Sequence, residues 1–119
     1  MRRLPLVLAA AAAFVPAAHA GTAVPTLTAT VGPGYTISLR QNGHAVHSLP
    51  AGSYRLVVAD RSPIHNFVLE QKHGGGFERA VTTPRFTGTK SITLALRKGE
   101  WEFYCAPHES VMHGDFTVT

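Results

Sequence analysis

The sequence predicts an all-β domain that folds as a sandwich or barrel. Apolar and polar residues alternate with a period of two along most of the chain after residue 25, which is typical of half-buried strands. Residues that favour turns separate these segments, at a spacing of roughly 8–12 residues that is typical of sandwiches and barrels. No window of the sequence has a convincing helical period.

Each predicted strand has one apolar face. In chain order these faces are Leu27, Ala29 and Val31; Tyr35, Ile37 and Leu39; Tyr54, Leu56 and Val58; His65, Phe67 and Leu69; Ile92, Leu94 and Leu96; Trp101, Phe103 and Cys105; and Phe116 with Val118. The turn signals between them are Gly32-Pro33-Gly34, Asn42-Gly43, Pro50-Ala51-Gly52, Ser62-Pro63 and Lys98-Gly99. The stretch from Gln71 to about Thr89 is less regular, and residues 77–81 fit either a short strand or a helical turn.

Residues 1–20 have the pattern of a cleaved secretory signal peptide. Two arginines give a positive start, an apolar stretch follows over residues 4–15, and Ala18-His19-Ala20 supplies the small residues that a signal peptidase recognises. An uncleaved membrane helix is the alternative, but such a helix needs roughly 20 apolar residues. We therefore expect an exported protein, located in the periplasm or outside the cell.

Residues 21–119 are expected to form one domain. A domain of this size buries a sufficient core without a metal or a disulfide. Loss of the two arginines lowers the formal charge from +4 to +2, and the remaining basic residues are scattered, which argues against a nucleic-acid interface. No second apolar run is long enough to cross a bilayer, so we expect no membrane span in the mature chain. We also expect a monomer.

Cys105 is the single cysteine of the chain. Structural cysteines in exported proteins normally occur in pairs, because thiols oxidise in that environment. A lone cysteine therefore indicates a reactive thiol, an intermolecular disulfide or a protected ligand. The strand phase that Cys105 shares with Trp101 and Phe103 predicts a thiol that points toward the core.

Three potential metal ligands lie close together in the sequence at Cys105, His108 and Met112. Thiolate, imidazole and thioether groups are the soft and borderline donors that copper prefers, and a blue-copper site consists of two histidines, one cysteine and a weak axial methionine. The second histidine has to come from elsewhere in the chain.

His65 is the candidate for that second histidine. It shares a face with Phe67 and Leu69 in a strand predicted over residues 64–69. An imidazole among large apolar neighbours needs a partner for its nitrogens, because an unmade hydrogen bond there costs about 1–3 kcal/mol. A metal ion would supply that partner.

These residues resemble those of the cupredoxins, and of the plastocyanin and pseudoazurin group in particular. The resemblance rests on the loop Cys105-x-x-His108-x-x-x-Met112-x-Gly114 between two strands and on the upstream pair His65-Asn66. It covers most of residues 21–119 and implies a Greek-key β-sandwich or barrel of about seven to eight strands.

The resemblance also implies the ligands of one copper ion. His65, Cys105 and His108 would be the strong ligands, and Met112 would be the axial one. Asn66 would tie the histidine strand to the cysteine loop by hydrogen bonds, which is the kind of outer contact that orients ligands and tunes a metal.

Other interpretations of the same residues stay open. Cys105 could be a buried inert thiol or one half of a Cys–His nucleophile pair, and Met112 could be simple core packing. Zinc fits thiolate and imidazole, but a thioether is a poor zinc ligand. His113 is an alternative axial ligand, whereas His44 and His47 follow a turn and are expected to lie on a solvated hairpin.

The expected function is the transport of single electrons between transient redox protein partners, with no enzymatic reaction. The resemblance implies that electrons pass through the exposed edge of His108, surrounded by apolar residues such as Ala106, Pro107 and Pro33. The alternative is a periplasmic copper-binding or delivery protein without an electron-shuttle role. A detached domain of a copper oxidase or reductase would normally need a second copper site, for which the chain is short.

Overall fold

A computed structural model of the chain describes residues 10–12, 23–73 and 75–119. The predicted signal peptide, residues 1–20, lies outside the described residues except for residues 10–12. Within these described ranges, no helix has the length and apolar character that a membrane crossing requires.

The described residues form two five-stranded sheets. The strands, in chain order, are β1 (Thr26–Val31), β2 (Ile37–Gln41), β3 (His44–Ala45), β4 (Ser48–Leu49), β5 (Gly52–Asp60), β6 (Val68–Gln71), β7 (Glu78–Ala80), β8 (Gly88–Leu96), β9 (Gly99–Tyr104) and β10 (His113–Val118). The first sheet has the order β3-β2-β1-β5-β8, and the second has the order β4-β10-β9-β6-β7. β1 pairs with β5 and β4 with β10 in parallel, and the other pairs are antiparallel. A 3₁₀ turn over Ala106–His108 lies between β9 and β10.

The prediction of an all-β domain is confirmed. The ten strands exceed the expected seven to eight because β3 and β4 have two residues each and β7 has three. Elements this short cannot display an alternating pattern in the sequence. The irregular stretch over residues 77–81 contains the short strand β7 rather than a helical turn.

The core lies between the apolar faces of the two sheets. Leu27, Ala29 and Val31 of β1 are at most 2% exposed, as are Trp101 and Phe116 on the opposite sheet. The rings of Trp101 and Phe116 stack with their centroids 6.2 Å apart. Complete burial of a large apolar side chain stabilises a fold by about 1.5–3 kcal/mol. We therefore expect this core to support the fold without a metal.

The loops at one end of the sandwich carry the predicted site residues. β1 and β5 are parallel and end side by side, β5 at Asp60. In the other sheet, β9 ends at Tyr104, beside the start of β6 at Val68 and of β10 at His113. Residues 61–67 connect β5 to β6 and therefore cross from one sheet to the other at this end.

Candidate metal centre

Three donor side chains lie together where these loops meet. The Nδ1 atoms of His65 and His108 are 3.0 Å apart, and the Sγ atom of Cys105 is 3.7 Å from each of them. All three ligand atoms thus lie within 4.8 Å of one another. The structure brings together residues that are 40 positions apart in the sequence.

Cys105 follows directly after β9 and is fully buried. Its position continues the inward phase of Trp101 and Phe103, which are buried in the core. Its backbone N–H donates to the carbonyl oxygen of Met112 at 3.0 Å. The burial of the thiol agrees with the orientation expected from strand phase, and it keeps the unpaired sulfur away from solvent.

The loop from Cys105 to Met112 is closed by its own backbone. The N–H of His108 donates to the carbonyl oxygen of Cys105 at 3.1 Å, and the N–H of Met112 donates to the carbonyl oxygen of His108 at 2.8 Å. Pro107 lies in the 3₁₀ turn, where its fixed φ suits a helical start and its missing N–H is not needed. Local hydrogen bonds therefore set the position of His108 relative to Cys105.

His65 is almost completely buried, with 1% of its surface exposed, but it does not lie in a strand. The strand expected over residues 64–69 begins only at Val68, so that prediction was wrong for its first four residues. The physical reason is the turn at residues 63–64, in which the N–H of Ile64 donates to the hydroxyl of Ser62 at 3.4 Å. His65 is positioned by the residues that follow it.

Hydrogen bonds to two distant segments fix the residues after His65. The side-chain oxygen of Asn66 accepts the N–H of Ala106 at 2.8 Å, which joins this segment to the cysteine loop. The N–H of Phe67 donates to the hydroxyl of Thr82 at 2.9 Å. Thr82 is 1% exposed, and sequence reasoning missed it because no local pattern marks a hydroxyl that bonds a backbone group 15 residues away.

Met112 is fully buried, and both its N–H and its carbonyl group take part in closing the loop. Two residues later, Gly114 pairs with Phe103 across β9 and β10. A Cβ atom at position 114 would overlap the Phe103 ring, so any other residue there would force this buried ring to move. Met112 as the fourth ligand remains a prediction.

Tyr35 packs against both histidines, although the sequence placed it elsewhere. Its ring centroid is 5.2 Å from that of His65 and 5.0 Å from that of His108. Strand phase put Tyr35 on the inward face with Ile37 and Leu39, but β2 begins at Ile37 and Tyr35 is 61% exposed. The prediction of an inward Tyr35 was wrong because the bend that precedes β2 includes this residue.

The remaining histidines of interest lie apart from the donor group. His113 is exposed, and its Nδ1 atom is 2.7 Å from the carbonyl oxygen of Glu109. His44 is exposed and pairs with Gln41 across the turn between β2 and β3. His47 is also exposed. These positions agree with the expectation of a solvated hairpin for His44 and His47.

The donor separations fit a single metal ion. Bonds of about 2.0–2.1 Å to imidazole nitrogen and about 2.3 Å to thiolate sulfur are typical for a metal such as zinc. Each separation between two donor atoms is shorter than the sum of two such bonds, so one ion can contact all three atoms. Thiolate and imidazole suit zinc as well as copper, whereas a buried thioether in the same loop favours copper.

Carboxylates gather on the outer face of the second sheet rather than at the donor group. The cross-strand neighbours in one row, from β10 to β7, are Asp115, Glu102, Glu70 and Glu78. Burial raises the pKa of the Glu102 carboxyl, and Lys72, whose Nζ lies 3.7 Å from it, opposes that rise. Burial also raises the pKa of the Tyr104 phenol, whose hydroxyl donates to Glu78. The donor group itself consists of two imidazoles and one thiol, without a carboxylate.

Comparison with known proteins identifies the fold. No family model matches the sequence, and no curated protein matches it. The structure is similar to the copper protein rusticyanin, with a TM-score of 0.54 and 18% identity over 79% of this chain and 76% of that chain. It is similar to a variant of amicyanin in the Cu(I) form, with a TM-score of 0.52 and 12% identity over 80% of this chain and 83% of that chain. A second amicyanin variant, also in the Cu(I) form, has a TM-score of 0.52 and 15% identity over 84% and 88%. The chain therefore has the fold of the cupredoxins.

Proposed function

We propose that the protein binds one copper ion in a type 1 (blue) site and carries single electrons between redox partners outside the cytoplasm. The observation that carries this proposal is the buried thiol of Cys105, 3.7 Å from the Nδ1 atoms of both His65 and His108. Two histidines and a cysteine in a trigonal set are the strong ligands of a blue-copper site. The fold that the chain shares with rusticyanin, a copper protein, supports the same assignment.

The four proposed ligands have different roles. Cys105, as a thiolate, is the soft anionic donor, and the imidazoles of His65 and His108 suit both oxidation states of copper. The thioether of Met112 is a weak neutral donor in the axial position, where it tunes the reduction potential. Cys105, Met112 and His65 are each at most 1% exposed, so the fold excludes water from three of the four ligands.

A bound copper ion supplies one-electron redox chemistry, and the chain keeps the donor groups in place. Asn66 joins the segment of His65 to the loop of Cys105 through its hydrogen bond to Ala106. Outer contacts of this kind orient the ligands. Donor groups that are held by such bonds move little when an electron arrives or leaves, and a small rearrangement permits fast transfer.

His108 is the proposed point of electron exchange with a partner. It is half-buried, and Ala106 and Pro107 beside it are exposed. Ile64 and Val111, which also flank proposed ligands, are 55% and 65% exposed. A small and weakly apolar surface is suited to the low-area encounters typical of redox partners. We propose that the protein acts as a monomer with transient protein partners, and we assign it no catalytic reaction.

The proposed location follows from the sequence of residues 1–20. We propose that these residues are removed during export and that the domain of residues 21–119 works in the periplasm or outside the cell. Thiols oxidise in such compartments. Burial of the Cys105 thiol, together with a metal ion bound to its sulfur, would protect this thiol from oxidation there.

Visible spectroscopy of the copper-loaded protein tests this function. Addition of one equivalent of Cu(II) is expected to give an intense visible band from charge transfer between the Cys105 thiolate and the metal. Ascorbate should bleach the band and reoxidation should restore it, whereas Cys105→Ser should never develop it. A protein that binds one copper ion but stays colourless and does not cycle would contradict the proposal and favour copper delivery.

A further inference from the structure

Tyr35 and the two histidines form a compact group of three rings. The centroids of His65 and His108 are 4.8 Å apart, and that of Tyr35 lies 5.2 Å from the first and 5.0 Å from the second. All three pairs have edge-to-face geometry. Aromatic pairs of this kind are worth about 0.5–1.5 kcal/mol beyond their area of contact. The tyrosine ring is therefore packed onto the histidine pair.

Tyr35 reaches this pair from the solvent side. It is 61% exposed, while Cys105, whose sulfur contacts both imidazoles, is fully buried. The histidines thus have the thiol on their buried side and the phenol ring on their exposed side. A ring in this position covers part of the route from solvent to the donor atoms.

The loop that presents Tyr35 is fixed at its base. The N–H of Gly32 donates to the carbonyl oxygen of Thr36 at 2.8 Å, and the hydroxyl of Thr36 donates to the carbonyl oxygen of Pro33 at 3.0 Å. Gly32 has a φ of +67°, which glycine adopts without steric cost. A Cβ atom on Gly32 would lie 2.9 Å from the Cβ of Ser62, in the segment that leads to the first histidine. The loop is therefore packed directly onto that segment.

We propose that Tyr35 controls access to the metal centre by keeping small ligands and chelators away from the donor atoms on the solvent side. The inference rests on the proposed function, because a redox carrier keeps its potential only while outside ligands do not bind its metal. It also concerns the thiol of Cys105 itself, which reagents would reach by the same route in the metal-free protein. Ile64 and Val111 are similarly exposed, but they are aliphatic and cannot form edge-to-face ring contacts.

Alkylation of Cys105 tests this proposal without any metal. Metal-free wild-type protein, Tyr35→Ala and Tyr35→Phe are treated with iodoacetamide, and the modified fraction is followed by mass spectrometry. We expect Tyr35→Ala to react at least about tenfold faster, which corresponds to about 1.4 kcal/mol. Tyr35→Phe should react at the wild-type rate because it keeps the ring.

The control variant is Val111→Ala, which removes exposed apolar surface near the site without removing a ring. We expect it to react at the wild-type rate. Equal rates in wild type and Tyr35→Ala, or an equal acceleration in Val111→Ala, would overturn the proposal. Melting curves check that the variants are folded, and if Tyr35→Ala is not folded, the same comparison with Tyr35→Leu decides.

Azide titration of the copper-loaded proteins extends the test to the metal. The visible spectrum of Tyr35→Ala should respond to azide at a concentration at least about tenfold lower than that of wild type. A wild-type protein that binds no copper would overturn the proposed function, but the alkylation rates would still decide the role of Tyr35. Equal alkylation rates in a protein with an intense visible band would overturn the role of Tyr35 alone.

Discussion

The two histidines of the donor group are held in different ways. His65 is 1% exposed, and the two residues after it are hydrogen-bonded to segments 40 and 15 positions away, at Ala106 and Thr82. His108 is half-buried in a 3₁₀ turn, and the hydrogen bonds that place it lie within residues 105–112. One half of the site is therefore fixed by the whole fold and the other half by one short loop.

This difference matches the two requirements of the proposed electron transfer. A donor group must keep its geometry when its charge changes, and the long-range bonds around His65 provide that constraint. One ligand must also lie close enough to the surface to meet a partner, and the short loop places His108 there. The fold as a whole therefore fixes the position of His65, while the short loop determines how far His108 is exposed to solvent.

Removal of either histidine is expected to have the largest effect, and the two variants should differ. His65→Ala leaves a cavity in a buried position and should destabilise the metal-free protein by about 2 kcal/mol or more. His108→Ala alters a half-exposed loop and removes only the ring contacts of His108 with Tyr35 and His65, so it should destabilise the metal-free protein by less, about 1 kcal/mol. Urea denaturation of the metal-free proteins measures both values.

His65→Ala and His108→Ala should also differ in how readily added imidazole restores the visible band. Both should lose the visible band with copper, and added imidazole should restore it more readily in His108→Ala, because His108 is half-buried whereas His65 is 1% exposed. His44→Ala and His47→Ala, which alter exposed residues away from the donor group, serve as controls and should keep the wild-type spectrum. Equal destabilisation and equal rescue of the two histidine variants would contradict the distinction between the halves.

Loss of the Thr82 hydroxyl is expected to have the next largest effect. Thr82→Val keeps the shape of the side chain but leaves the N–H of Phe67 without its partner, which should destabilise the protein by about 1–3 kcal/mol. The matched control is Thr83→Val, which alters the adjacent exposed threonine and should change stability by about 0.5 kcal/mol or less.

The reduction potential separates a role of Thr82 in the site from a merely structural one. If the bond to Phe67 positions His65, Thr82→Val should also shift the potential and broaden the visible band of the copper-loaded protein. A variant that loses stability but keeps the wild-type potential and band would show that Thr82 supports the fold alone.

Substitution of Met112, the proposed axial ligand, is expected to have the smallest effect on copper binding. Met112→Leu should keep copper and colour while raising the reduction potential, because a weak donor to the oxidised state is lost. Met112→Gln should lower the potential, because it supplies a harder oxygen donor. His113→Ala should leave the potential nearly unchanged, since its ring is exposed and bonded to the Glu109 carbonyl. Cyclic voltammetry decides, and the reverse pattern would place the axial ligand at His113.

The sequence predicts the strands well, because alternation is a local pattern. Alternation in β1 and β9 reflects side chains that point to opposite faces, so burial of Leu27 and Trp101 follows from period alone. Cys105, His108 and Met112 are also close in the sequence, and their spacing favours a loop of copper ligands, which stays a prediction.

The contacts between loops could not be predicted in this way. Tyr35 was assigned to a strand face and Thr82 was not noticed, because each meets the site only after distant loops come together. The strand predicted over residues 64–69 begins only at Val68, because alternation within a strand does not reveal the turn at residues 63–64. The alternation of apolar and polar residues predicts which side chains are buried within a strand. It carries no information about the residues between strands.

X-ray absorption at the copper edge tests the central claim most directly, which is that His65, Cys105 and His108 together hold the metal in a fixed geometry. Spectra of the copper-loaded protein in both oxidation states should show one sulfur and two imidazole nitrogens as the near ligands, with little change between the states. A near shell without sulfur, or a set of ligands that changes when the metal is reduced, would contradict this account of the site.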